Sequence, residues 1–104
     1  MEFVETDIFT RRIEEILTDE EYGLLQAELA KRPDAGKLIH GARGLRKLRW
    51  RSDGKGKSGG MRVIYYLYSK DKIYMIYAFR KSEAEDLSRE QLKVLAQYVK
   101  GSVI

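Results

Sequence analysis

Three clusters of lysine and arginine stand out for their spacing. Lys47, Arg49 and Arg51 alternate along one run. Lys55 and Lys57 sit in the glycine-rich stretch Ser52-Asp53-Gly54-Lys55-Gly56-Lys57-Ser58-Gly59-Gly60, which leads into Met61-Arg62. Arg80 and Lys81 close a later apolar run. Residues 36–81 hold thirteen lysines and arginines against two acids, whereas residues 1–35 hold ten acids against four lysines and arginines. Cations gathered this densely repel one another unless a polyanion relieves them, so the middle segment is an electrostatic footprint for phosphate. Their chemistry would be to grip a phosphate and stabilise the extra negative charge of its transition state. A solvated basic sheet face accounts for the same charge without any chemistry.

The remaining side chains exclude much else. There is one histidine, His40, and no cysteine, so a two-histidine ribonuclease pair, a histidine-built metal site, a cysteine zinc site and a nucleophilic triad all lack parts. His40, beside a glycine, reads as a loop residue. The acidic pairs Glu14/Glu15 and Asp19 to Glu21 lie in helical segments and read as solvated faces and caps. No metal or cofactor is therefore expected. Gly56-Lys57-Ser58 imitates a P-loop, but the required first glycine falls at Arg51 and the segment leads into a strand instead of a helix. What remains is a loop whose glycine amides and two lysines could approach a phosphate closely. An ordinary hairpin loop would look the same.

At 104 residues, 43% of them hydrophobic, the chain makes one domain, residues 1–104, with a core large enough to fold alone. Its apolar runs are short and broken by charges, and the acidic start MEFVETD is no secretory signal, so a cytoplasmic protein with no membrane partner is expected. Glu2 to Glu5 reads as a strand. Phe9, Ile13, Ile16 and Leu17 have helical spacing. Thr18-Asp19-Glu20-Glu21 is a capping box opening a second helix, with Leu17 and Tyr22 as its staple, and Pro33 stops that helix near Arg32. Leu45 to Arg51 alternates as a strand, with Lys47, Arg49 and Arg51 on one face and Arg46, Leu48 and Trp50 on the other. Met61 to Tyr68 and Lys72 to Phe79 flank a turn at Ser69-Lys70-Asp71. Ser88 to Gln91 is a second capping box, with Leu87 and Leu92 as staple, before a helix striped by Leu92, Leu95, Ala96 and Val99. The expectation is an α+β domain: a curled antiparallel sheet, two N-terminal helices and one C-terminal helix, with the helices against one face. Antiparallel pairing would let Lys47, Arg49 and Arg51 lie beside Arg62, and Phe79-Arg80-Lys81 closes the last strand at the same end of the sheet. Among five tyrosines of the strands, most of them core residues by type, Tyr77 is nominated as a base-stacking surface.

Several phrases taken in order resemble the RelE/ParE toxin superfamily, in its HigB branch. They are Gly41-Ala42-Arg43-Gly44-Leu45-Arg46-Lys47-Leu48-Arg49, Gly54-Lys55-Gly56-Lys57-Ser58-Gly59-Gly60-Met61-Arg62-Val63-Ile64-Tyr65-Tyr66 and Ile76-Tyr77-Ala78-Phe79-Arg80-Lys81-Ser82-Glu83. Phe9, Thr18-Asp19-Glu20-Glu21-Tyr22 and Asp86-Leu87-Ser88 extend the likeness over nearly the whole chain. The resemblance implies a RelE-like fold and ribosome-dependent cleavage of mRNA. It also implies a cognate helix-turn-helix antitoxin, through which alone the toxin would meet operator DNA. By position, Lys47 and Arg49 match the family's basic pair on the strand before the loop, Arg62 matches the arginine at the scissile phosphate, and Lys81, beside Arg80, falls where many relatives have a second arginine. Where some relatives carry a catalytic tyrosine near the last helix, this chain has Leu87.

The expected reaction is a transesterification in which the ribose 2′-hydroxyl attacks the adjacent phosphorus and expels the 5′-oxygen, leaving a 2′,3′-cyclic phosphate. Lys47, Lys57, Arg62 and Lys81 are the candidate catalytic residues; Arg49, Lys55, Tyr77 and Arg80 are the candidate RNA contacts. Arg62 suits charge stabilisation, because a guanidinium grips phosphate bidentately and keeps its proton. A lysine must then move protons; free lysine titrates near ~10.4, and neighbouring cations lower that value. Three other readings compete: a ParE-like gyrase poison, a basic nucleic-acid-binding module without chemistry, and a degenerate toxin retained as a repressor component.

Overall fold

The computed structural model describes residues 1–51 and 60–103. In chain order its elements are β1 (Glu2–Glu5), α1 (Asp7–Ile16), α2 (Asp19–Lys31), β2 (Lys37–Leu38), β3 (Leu45–Trp50), β4 (Met61–Ser69), β5 (Lys72–Arg80) and α3 (Arg89–Tyr98), which runs into a π-helical turn, Val99–Val103. Three hydroxyls set where the helices begin. The Phe9 amide donates to Thr6 Oγ1 at 3.0 Å and starts α1. Thr18 and Glu21 exchange amide-to-side-chain bonds of 3.1 and 2.8 Å, and Ser88 and Gln91 do the same at 3.1 and 2.8 Å. Both capping boxes read from sequence are therefore formed, and they satisfy amides that have no partner within the helix.

The sheet order is β1-β5-β4-β3-β2. β2 to β5 pair antiparallel, but β1 lies parallel to β5, with Phe3 opposite Ile73 and Glu5 opposite Met75. The sheet is thus mixed, not antiparallel throughout. Pairing direction is decided by long-range bonds such as Glu2 N–H to Asp71 O and Thr6 N–H to Met75 O, at 2.8 and 3.1 Å, which the alternation of one short strand does not encode. β2 is only two residues long, below the length at which alternation carries a signal.

The helices divide between the two faces of the sheet, where the sequence suggested one. β4 is buried on both sides. Met61, Val63 and Tyr65 enter a core with Phe9 and Ile13 of α1 and Leu25 and Leu29 of α2, while Ile64 joins Leu45, Ile76, Phe79, Ala96 and Val99 under α3. A one-sided expectation fails because a central strand covered on both faces reads as a continuous apolar run. A bulge at Ile76 lets Ile64 oppose Tyr77 while Tyr65 opposes Met75. It turns Ile76 and Tyr77 toward the same cluster, and Thr6 Oγ1 donates to the Ile76 carbonyl at 2.8 Å.

Tyr65 is core, as most strand tyrosines are. Its fully buried hydroxyl donates to Pro33 O at 2.7 Å and accepts from Gly36 N at 2.8 Å, pinning the chain between α2 and β2. A Cβ on Gly36 would come within 2.7 Å of the Tyr65 ring, so the close approach needs glycine. Tyr65→Phe should leave the buried Gly36 amide without a partner and destabilise the protein by about 1–3 kcal/mol in urea denaturation. A loss below about 0.5 kcal/mol would mean that the hydroxyl does not hold this segment.

Candidate active site

Register decides which cations meet. Arg49 lies directly opposite Arg62, and Lys47 opposite Ile64, so all three project from the α3 side of the sheet. Lys47 and Arg62 are diagonal neighbours, which places their Cα atoms roughly 7–8 Å apart. Arg62 is buried to 9% exposure, the one charged residue so classed among those described. Its guanidinium donates one hydrogen bond, to Met61 O at 3.3 Å, and makes no ion pair among the described residues. Arg49 is exposed and Lys47 half-buried. Lys37 of β2, opposite Lys47, carries the basic surface out to the edge strand; its two-residue strand hid it from sequence reasoning.

Lys81 joins this end of the sheet. Its amide donates to Gly60 O at 2.9 Å, continuing the β4–β5 ladder one step beyond the Met61–Arg80 pair, and alternation assigns its exposed side chain to the Arg62 side. Arg80 points the other way. It opposes the core residue Met61, donates to Glu15 O at the end of α1 at 2.7 Å, and lies 3.7 Å from the Glu83 carboxylate. The structure therefore does not bring Arg80 to the Arg62 cluster. Tyr77 shares the α3 side but is occupied: its ring lies 6.0 Å from Phe79, with the Arg12 guanidinium 5.8 Å above it. By register Tyr77 opposes Ile64 and is a diagonal neighbour of Arg62, whose direct partner is Phe79. Lys55 and Lys57, with the rest of their loop, lie outside the described residues. His40 is an exposed turn residue. Among the described residues, no group of three or more histidines, cysteines or acids could hold a metal ion.

Two carboxylates on the segment between β5 and α3 organise the site. Glu83 accepts from the Arg80 amide at 2.7 Å and from the Arg12 side chain, tying this segment to α1. The Arg80 amide chiefly, with the Arg12 guanidinium, holds the Glu83 carboxyl below the usual range. Asp86 Oδ2 accepts from Lys47 Nζ at 2.5 Å, and Oδ1 accepts from the Leu87 amide at 2.9 Å. The Lys47 hydrogen bond is the main reason the Asp86 carboxyl titrates low, and the charge of Arg62 adds to it. Sequence reasoning placed Asp86 only inside a family phrase. Its signal was an acid just outside the basic block, but nothing local showed that it folds back onto Lys47.

Comparison with known proteins decides the family. The model of the RelE family, described as the RelE toxin of the RelE/RelB toxin–antitoxin system, matches residues 6–103. The chain belongs to the RelE toxin family. A solved structure of E. coli toxin RelE, a double arginine-to-alanine mutant in the free state, is similar in fold. It has a TM-score of 0.56 and 17% sequence identity, over 81% of this chain and 86% of that one. A RelE toxin of such a system has a cognate antitoxin as its partner. In this RelE-family chain no helix among the described residues is long and apolar enough to cross a membrane.

The low-titrating carboxylates make acid sensitivity testable. A depressed folded-state value means that the pairs stabilise the fold above the ordinary carboxyl pKa of about 4, and lose that contribution as pH falls through the depressed values. Both side chains are more than a third exposed, so each pair contributes less than about 1 kcal/mol. Glu83→Gln keeps an acceptor for the Arg80 amide and removes only the charge. It should lower the melting temperature slightly at pH 7, and the gap to the parent should close below pH ~4. A gap that widens on acidification would contradict the sign.

Proposed function

We propose that this RelE-family toxin, of the HigB branch, is a ribosome-dependent mRNA endoribonuclease working by metal-independent attack of the 2′-hydroxyl. The observation that carries the reading is Arg62. A guanidinium buried to 9% with one backbone hydrogen bond and no ion pair among the described residues is short of anionic partners. Burying such a charge is costly until an anion joins it. Lys47, Arg49 and, by ladder position, Lys81 stand around it on the same side of the sheet, so a phosphodiester is the ligand whose charge and oxygens fit.

In the reaction the 2′-oxygen forms a bond to phosphorus as the bond to the 5′-oxygen breaks. The 2′ proton passes to a base, and an acid supplies a proton to the departing 5′-oxygen, leaving a 2′,3′-cyclic phosphate. Arg62 stabilises the added charge on the non-bridging oxygens. Lys81 assists it, and proton transfer falls to the lysines Lys47, Lys55 and Lys57. Arg49 and Lys55 hold flanking phosphates. Arg80, bonded to the end of α1, acts through the scaffold, and the half-exposed Tyr77 offers the base-stacking surface. The ribosome holds the codon in a reactive pose and so supplies part of the orientation. The acidic α1–α2 layer lies across the sheet from the cations, so ribosomal RNA attracts one side and repels the other. The partners of this cytoplasmic toxin would be a helix-turn-helix antitoxin, and operator DNA through that antitoxin alone.

Arg62→Ala should keep antitoxin binding and lose ~10²–10³ in the cleavage rate of ribosome-bound message, as for removal of one transition-state donor. Cleavage at the parental rate would retire the assignment. A parent that leaves message intact and blocks gyrase supercoiling instead would favour the gyrase-poison reading.

A further inference from the structure

Asp86 is the one acid that reaches the cation cluster on the α3 side of the sheet among the described ion pairs. The segment carrying it is fastened on both flanks. Glu83 binds the Arg80 amide and Arg12 on one side, and Leu87 and the Ser88 cap anchor the other. Its carboxylate presents one oxygen to Lys47 Nζ at 2.5 Å, and Lys47 is a diagonal neighbour of Arg62 on the same side of the sheet. A phosphodiester matches a carboxylate in the features that matter there: one negative charge shared by two acceptor oxygens. The Asp86 side chain is 54% exposed and that of Lys47 24%, so the pair faces solvent and is weak enough to exchange for a better anion.

We propose that in the free toxin Asp86 occupies the Lys47 side of the phosphate subsite that Lys47 and Arg62 share, leaving Arg62 unpaired among the described residues, and that a substrate phosphodiester enters by displacing it. Asp86 is then a resident anion that relieves cation repulsion before substrate arrives and competes with substrate afterwards. The idea rests on the phosphate-binding half of the proposed function and not on the cleavage chemistry. It also assigns a consequence to Leu87, whose packing under α3 holds the backbone next to Asp86.

The test is binding of a short 2′-O-methyl RNA, which lacks the attacking hydroxyl, to the intact toxin off the ribosome by fluorescence anisotropy. Asp86→Asn keeps the Oδ1 acceptor for the Leu87 amide and removes the charge. It should bind about three- to tenfold tighter, the range set by releasing an exposed ion pair and removing a competing anion. Adding Lys47→Gln to Asp86→Asn should erase the gain, and Asp86→Ser should reproduce it if the asparagine variant folds poorly. Affinity equal to or weaker than the parent in both Asp86 variants would overturn the proposal. Cleavage of ribosome-bound message by the parent is read separately. Tighter binding by Asp86→Asn with no parental cleavage removes the nuclease and keeps the displaced anion; parental cleavage with unchanged affinity does the reverse.

Discussion

The site depends on the register of β3 against β4. Because β4 is covered on both faces, its odd residues Met61, Val63 and Tyr65 are committed to the α1–α2 core, and Ile64 to the cluster beneath α3. A slip of one residue would exchange the two sets and drive Arg62 into an apolar core. Burial on both sides makes that slip prohibitively costly, and the Tyr65 hydroxyl, bonded to Pro33 and Gly36, adds a polar constraint that only one register satisfies. With β4 locked, Arg49 must oppose Arg62 and Lys47 must oppose Ile64. Cation placement is thus a by-product of core packing.

The cost of that placement is cation repulsion, and the fold answers it with acids from distant parts of the chain. Glu83 gathers Arg12 and the Arg80 amide on the α1 side, while Asp86 neutralises Lys47 on the α3 side. Arg12 also donates to Ala78 O at 3.0 Å, satisfying β5 where β1 no longer covers it. One helix therefore closes a sheet edge and holds the segment that carries the second acid. The acidic helices α1 and α2 lie across the sheet from the Lys47–Arg62 cluster, so the two sides carry opposite charge.

Local signals in the chain were reliable where the physics is local. Thr18–Glu21 and Ser88–Gln91 marked two helix starts because a capping box needs only four consecutive residues. Alternation separated Lys47 and Arg49 from Leu48 and Trp50, and the structure keeps that separation. The faces of Arg80 and Tyr77 were less legible. The bulge at Ile76 shifts the register in mid-strand, and whether a cation at a strand end meets solvent or a helix terminus depends on what packs there. Lys37 and Asp86 escaped notice for the same reason: a two-residue strand and an irregular segment have no period.

By itself the sequence determined the elements other than β2, the α+β class, the concentration of positive charge and the shared strand face of Lys47 and Arg49, all of which follow from spacing within a few residues. Only the tertiary structure decided that β1 runs parallel to β5, that the helices divide between the two faces, that Arg80 turns to α1, and that Asp86 folds back onto Lys47. Those outcomes depend on contacts between residues tens of positions apart. There, chain direction and packing are settled by which apolar faces can be buried together, and no local pattern carries that information.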